Sequence, residues 1–197
     1  MNHQELREQI VSCFECPSLV ASRRRAIPGY GDVHAKTMFV GLCPGRNGAD
    51  LTGIPFTRDS SGRIFQAIMR ELGFLVGECL EKPLINNAYV TNVVKCCPRD
   101  GFGRNRTPTQ DEISACSKYL QLEIDLIRPN FIVTLGRVAT ECVLERRITK
   151  LSDVHLNPIK CKYATVIPSY HPSFVARGAY SRKRYSHEFG RLAILIS

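Results

Sequence analysis

Short apolar runs of strand length alternate with amphipathic helical stretches along most of the chain, and this alternation restricts the fold more than any other feature. Residues 37–42, 88–94, 130–135 and 163–167 read as strands. Between them, residues 61–72 place Ile64, Phe65, Ile68, Met69 and Leu72 on one helical face, with Gly73 as the stop. Thr109-Gln110-Asp111-Glu112 is a capping box, in which Thr and Glu satisfy each other's orphan backbone donors. The helix it opens buries Ile113, Cys116, Leu120, Ile124 and Ile127. Further helices run from Gly136 to about Arg146 and over residues 181–196; residues 2–12 form a short helix and 17–36 a loop. Strands and helices in this order predict a single-domain, three-layer α/β/α fold over residues 1–197, with a central, mostly parallel four-stranded sheet.

The segment from residue 41 to 62 lies where open α/β sheets build ligand sites, after the apolar Met38-Phe39-Val40 and before an amphipathic helix. Glycine and proline punctuate it, so backbone can approach a ligand closely, and Phe56 and Asp59 put a ring and a carboxylate three residues apart. The chain carries a net charge of +9, with arginines grouped at 23–25, 104–106, 146–147 and 177–191. Such groups on loops fit phosphate contacts, since Lys and Arg neutralise phosphates and release counterions. No apolar stretch approaches the roughly 18 residues needed to span a membrane. Glu5 and Glu8 sit where a signal peptide would be apolar, so a cytoplasmic location is expected.

Nine cysteines stand at positions 13, 16, 43, 79, 96, 97, 116, 142 and 161. An odd count without secretory features points towards metal ligation and away from a disulfide framework. Cys13 and Cys16 form a CxxC pair, Cys96 ends a strand, and Cys116 lies on the inward face of the next helix. Four thiolates there suit an iron–sulfur cluster or a tetrahedral zinc; the alternative makes Cys96, Cys97 and Cys116 small buried apolar residues. Cys43, Cys79, Cys142 and Cys161 read as buried apolar residues.

Further motifs end the other strands: Val90-Thr91-Asn92-Val93-Val94-Lys95-Cys96, Thr134-Leu135-Gly136 and Pro168-Ser169-Tyr170-His171-Pro172-Ser173. Together with Gly41-Leu42-x-Pro44-Gly45 and Thr52-Gly53-x-Pro55-Phe56-Thr57-x-Asp59-x-Ser61-Gly62, they resemble the uracil-DNA glycosylase superfamily. The match is to its iron–sulfur families 4 and 5, and family 5 (type b) most of all; Cys16-Pro17-Ser18-Leu19-Val20 and Pro28-Gly29-Tyr30-Gly31-Asp32 agree with it. The resemblance implies a structural [4Fe–4S] cluster on Cys13, Cys16, Cys96 and Cys116. It implies a base pocket of Gly41, Phe56 and Asn92, with Phe56 against the extruded pyrimidine and Asn92 on its edge. Asp59 and His171 would be catalytic, and Ser169, Phe174 and Arg177 would touch DNA. Leu42 stands where family 4 carries Glu, and Arg58 where Gly is usual. The implied activity is monofunctional hydrolysis of uracil, and of related deaminated bases such as hypoxanthine, from duplex or single-stranded DNA by a monomer. A non-catalytic protein that binds uracil-containing or damaged DNA on the same fold is the alternative.

Overall fold

A computed structural model describes residues 1–77 and 79–196. Helices α1 (His3–Val11) and α2 (Pro17–Ser22) precede strands β1 (Tyr30–Gly31) and β2 (Thr37–Gly41), and helices α3 (Ala49–Thr52) and α4 (Ser60–Glu71) follow. Strands β3 (Leu75–Val76) and β4 (Leu84–Ile85) make a separate two-stranded sheet. Then come β5 (Ala88–Asn92), α5 (Gln110–Ile127), β6 (Phe131–Leu135) and α6 (Arg137–Leu144). Strands β7 (Ile159–Lys160) and β8 (Thr165–Ser169) and helices α7 (Pro172–Ala176) and α8 (Arg182–Ile196) complete the chain.

The main sheet has the order β1-β5-β2-β6-β8-β7. Its four inner strands are parallel, as expected, but it has six strands rather than four, because β1 and β7 pair antiparallel on the two edges. Two-residue strands are too short to show a periodicity. The expected loop over 17–36 also contains a helix, α2, which starts on Pro17, where the missing N–H of proline costs nothing.

Alternate residues of the inner strands serve opposite faces. Met38, Val40, Tyr89, Ile132 and Val166 pack with α1, α2, α5 and α6, in the cluster that also holds Cys96 and Cys116. Phe39, Val90, Val133 and Ile167 pack with α4, α7 and α8. The strands are therefore buried on both sides, which explains their continuous apolar runs. The capping box forms as predicted: Thr109 accepts from the Glu112 N–H, and the Glu112 carboxylate accepts from the Thr109 N–H.

Candidate active site

Parallel register aligns the carboxyl ends of the strands. Gly41 lies opposite Asn92 and Leu135 opposite Ser169, so the segments leaving β2, β5 and β8 meet at one edge. A cavity of about 160 Å³ opens there, and Phe56, Asp59, Asn92 and His171 all line it.

Asp59 caps α4: its Oδ1 accepts the Gly62 N–H at 2.8 Å. Oδ2 lies against the backbone of the preceding loop, where a Cβ on Gly45 or Gly48 would come within 2.7 or 2.4 Å of it. Burial raises the carboxyl pKa above its ordinary 3.8, against the opposing pull of the Gly62 and Ser61 N–H groups. Oδ1 thus serves as the helix cap, while Oδ2 faces the glycines of the loop.

Phe56 and Arg58 have positive φ, 54° and 67°, an uncommon conformation for side chains of this bulk and one that collects at functional sites. The Gln66 amide donates to the Phe56 carbonyl at 3.1 Å and fixes that turn. The Phe56 ring packs on Phe65 with centroids 4.3 Å apart. Asn92 is 3% exposed, and no described residue hydrogen-bonds its side-chain amide, which leaves it available to a ligand. Gly41, expected to touch the base, is a buried strand residue outside the cavity lining. A Cβ there would fall 2.5 Å from Asn92 Oδ1 and 2.6 Å from the Phe56 ring, so Gly41 acts by leaving room for both.

His171 precedes α7, and its Nδ1 accepts the Ser173 N–H at 3.1 Å. Burial and then the Arg177 charge lower its pKa to about 4, so at neutral pH the ring is uncharged. With Nδ1 accepting, the proton resides on Nε2. Phe174 and Arg177 are exposed, and the guanidinium sits 5.6 Å from the ring centroid. Ser169 corrects the expectation of a DNA contact: it is 0% exposed at the end of β8.

The model of the uracil DNA glycosylase superfamily matches residues 28–190. The chain belongs to this superfamily. It is 35% identical over 196 residues to a type-4 uracil-DNA glycosylase of Sulfurisphaera tokodaii, covering 96% of this chain and 82% of the relative. Its identity to a type-5 uracil-DNA glycosylase of Pyrobaculum aerophilum is 32% over 197 residues, covering 87% and 82%. A type-5 uracil-DNA glycosylase of Thermus thermophilus is 31% identical over 167 residues, covering 73% of each chain. Both family types that the motifs resemble are represented.

In this glycosylase-family chain, sequence reasoning missed the support beneath Asn92. Lys95 and Glu123, each 1% exposed, form an ion pair at 2.7 Å. Lys95 Nζ also donates to Thr91 Oγ1 at 2.7 Å and to the Asn92 carbonyl at 2.6 Å, while Glu123 accepts from Thr91 and from the Gly29 N–H. The signal was present: Glu123 lies seven residues after Cys116 on the inward face of α5, and Lys95 interrupts an apolar run.

Two arginines of the groups expected to meet phosphate, Arg23 and Arg106, are engaged with protein groups instead, and so is Arg99 outside those groups. Arg106 holds Glu112 with both terminal nitrogens, at 2.7 and 2.6 Å, and this keeps the Glu112 carboxyl down at about 2. Arg99 pairs with the fully buried Asp50 of the 41–62 loop.

Cys96 and Cys116 are buried, and Cys13 and Cys16 pack against the same core cluster. Cys13 and Cys16 are near enough to raise the Cys96 pKa, and Cys96 and Cys13 near enough to raise that of Cys116; burial is the larger cause in each, and Cys116 reaches about 11. Arg23 donates to Cys96 Sγ at 2.8 Å and to the Cys13 carbonyl, and the Lys95 N–H points at Cys116 Sγ from 3.2 Å. Donors aimed at sulfur are the environment that thiolate ligands require. Among the described residues no three Cys, His, Asp or Glu side chains form a group able to hold a single metal ion. None of the four cysteines read as buried apolar residues is fully buried: Cys43 lines the cavity, Cys142 and Cys161 are partly buried against the core, and Cys79 is exposed.

Proposed function

We propose that this superfamily member is a monofunctional DNA glycosylase, a hydrolase that releases uracil from DNA and leaves an abasic site. The observation that carries the reading is the convergence of Phe56, Asn92, Asp59 and His171 on one cavity. An extruded pyrimidine stacks on Phe56, and the free Asn92 amide donates to and accepts from its edge. Nε2–H of His171 donates to the carbonyl oxygen on which negative charge grows as the glycosidic bond breaks. The carboxylate of Asp59 faces the deoxyribose, offsets its developing positive charge and orients the attacking water. The water oxygen bonds to the anomeric carbon, the bonding pair leaves with the base, and the water proton is released. Lys95 lies in the buried ion pair beneath Asn92, away from the cavity lining, which agrees with hydrolysis by water and no lysine adduct.

Cys13, Cys16, Cys96 and Cys116 would hold a [4Fe–4S] cluster, which takes one thiolate per iron corner and does not require donors converging on a point. The cluster supplies a covalent tie between the amino-terminal segment and the sheet. The shared neighbourhood and the N–H groups aimed at Cys96 and Cys116 support this assignment. No helix among the described residues is long and apolar enough to cross a membrane.

Incubation with a duplex bearing one U·G pair tests the reading: free uracil appears, and the strand breaks only after alkali. Tight binding without base release would select the non-catalytic alternative. The pH dependence is a second check. An ordinary histidine, at 6.5, would impose a step between pH 6 and 7, but His171 titrates near 4. Protonation of Nδ1 would also set its N–H against that of Ser173. No histidine step is therefore expected between pH 6 and 7, and the rate falls in acid solution as His171 takes up a proton. A histidine step at pH 6 to 7 in single-turnover rates would refute the neutral-imidazole assignment.

A further inference from the structure

We infer that the hairpin over residues 99–105 is a second stacking contact for the DNA strand, gripping an unpaired base next to the extruded uracil; this rests on the glycosylase reading above. Phe102 at its tip is 83% exposed, more than any other large apolar side chain among the described residues. The tip is not a frayed loop. Arg99 and Asn105 form an antiparallel bridge, and the Asp100 carboxylate accepts from the Phe102 N–H at 3.0 Å and from the Arg104 N–H at 2.8 Å. Arg104 Nε reaches the same carboxylate at 3.0 Å, and its guanidinium lies 5.0 Å from the Phe102 ring centroid.

The hairpin is fastened to the catalytic loop. The Arg46 N–H donates to Asn105 Oδ1 at 3.0 Å, and the Arg46 side chain to the Gly103 carbonyl at 2.7 Å. Asn105 itself lines the cavity that holds Asp59 and His171. A solvent-facing phenyl ring beside a guanidinium, on a held hairpin whose Asn105 lines the pocket proposed for a flipped base, has the chemistry of a nucleobase platform: every base offers a π-face, and arginine adds charge for the backbone. Phe174 on α7 and Arg177, at its C-cap, repeat the same pair. The hairpin follows β5 and α7 follows β8, strands on opposite sides of β2 and β6, so the two pairs bracket the site.

The test uses full-length protein and a fluorescent single-stranded oligonucleotide with one uracil, read by anisotropy, with uracil release scored on the same samples. Phe102→Ala is expected to weaken binding roughly tenfold and Phe102→Trp to preserve it. When abasic spacers replace the bases on both sides of the uracil, wild type and Phe102→Ala should bind alike. Equal affinity on the fully based strand would overturn the proposal, and so would a loss that persists with the spacers. If wild type releases no uracil but Phe102 still governs binding in this spacer-dependent way, the glycosylase reading fails and the stacking contact stands.

Discussion

Asp59→Asn is expected to lower the single-turnover rate of uracil release by about a hundred- to a thousandfold, the scale set by removing one preorganised electrostatic group. DNA affinity should stay within a few-fold of wild type. The substitution is informative because asparagine caps helices about as well as aspartate. Oδ1 keeps its bond to the Gly62 N–H, and the oxygen against Gly45 and Gly48 becomes a neutral amide nitrogen. Asp59→Ala removes both functions and should in addition cost about 1 kcal/mol of stability. A rate for Asp59→Asn within threefold of wild type would show that this residue is a cap alone.

Lys95→Met is expected to destabilise the protein by about 3–5 kcal/mol, because it strands the Glu123 carboxylate in the core. For a chain of this size that lowers the melting temperature by roughly 10 °C. Lys95→Met combined with Glu123→Leu should recover most of the loss, since replacing both members of a buried pair by apolar groups is often neutral. Calorimetry of the two variants decides: equal damage from the single and the double change would mean that the ion pair contributes beyond satisfying its own charges. The network also reaches the cavity, because Lys95 holds the carbonyl of Asn92, whose side chain lines it.

The parallel strands and the helices between them were legible in the sequence because each leaves a local mark: an apolar run, a 3.6-residue face, a capping box. Phe56, Asn92, Asp59 and His171 leave no such periodic mark and were reached through the motifs that carry the family resemblance. What escaped depends on distant partners. Lys95 and Glu123 are 28 residues apart in sequence and meet only after α5 packs on the sheet. The arginine groups suggested phosphate contacts, yet Arg23 answers to Cys96 and the Cys13 carbonyl and Arg106 to Glu112, which charge counting cannot show. Ser169 falls within a motif that the resemblance set against DNA but occupies the strand position that turns inward. The two-residue edge strands left no pattern to read.

Arg58 places a cation one residue from the Asp59 carboxylate, and the backbone keeps the two from neutralising each other. With φ at 67°, the chain turns the guanidinium outward to Glu81, 3.7 Å away, while the Arg58 carbonyl accepts from Arg63. Burial and backbone N–H groups shift the Asp59 pKa, and Arg58 does not figure among the causes. On the proposed mechanism the loop holds an anion in reserve: the counter-charge that would match Asp59 is the short-lived one on the sugar, which exists only while the bond to the base is breaking.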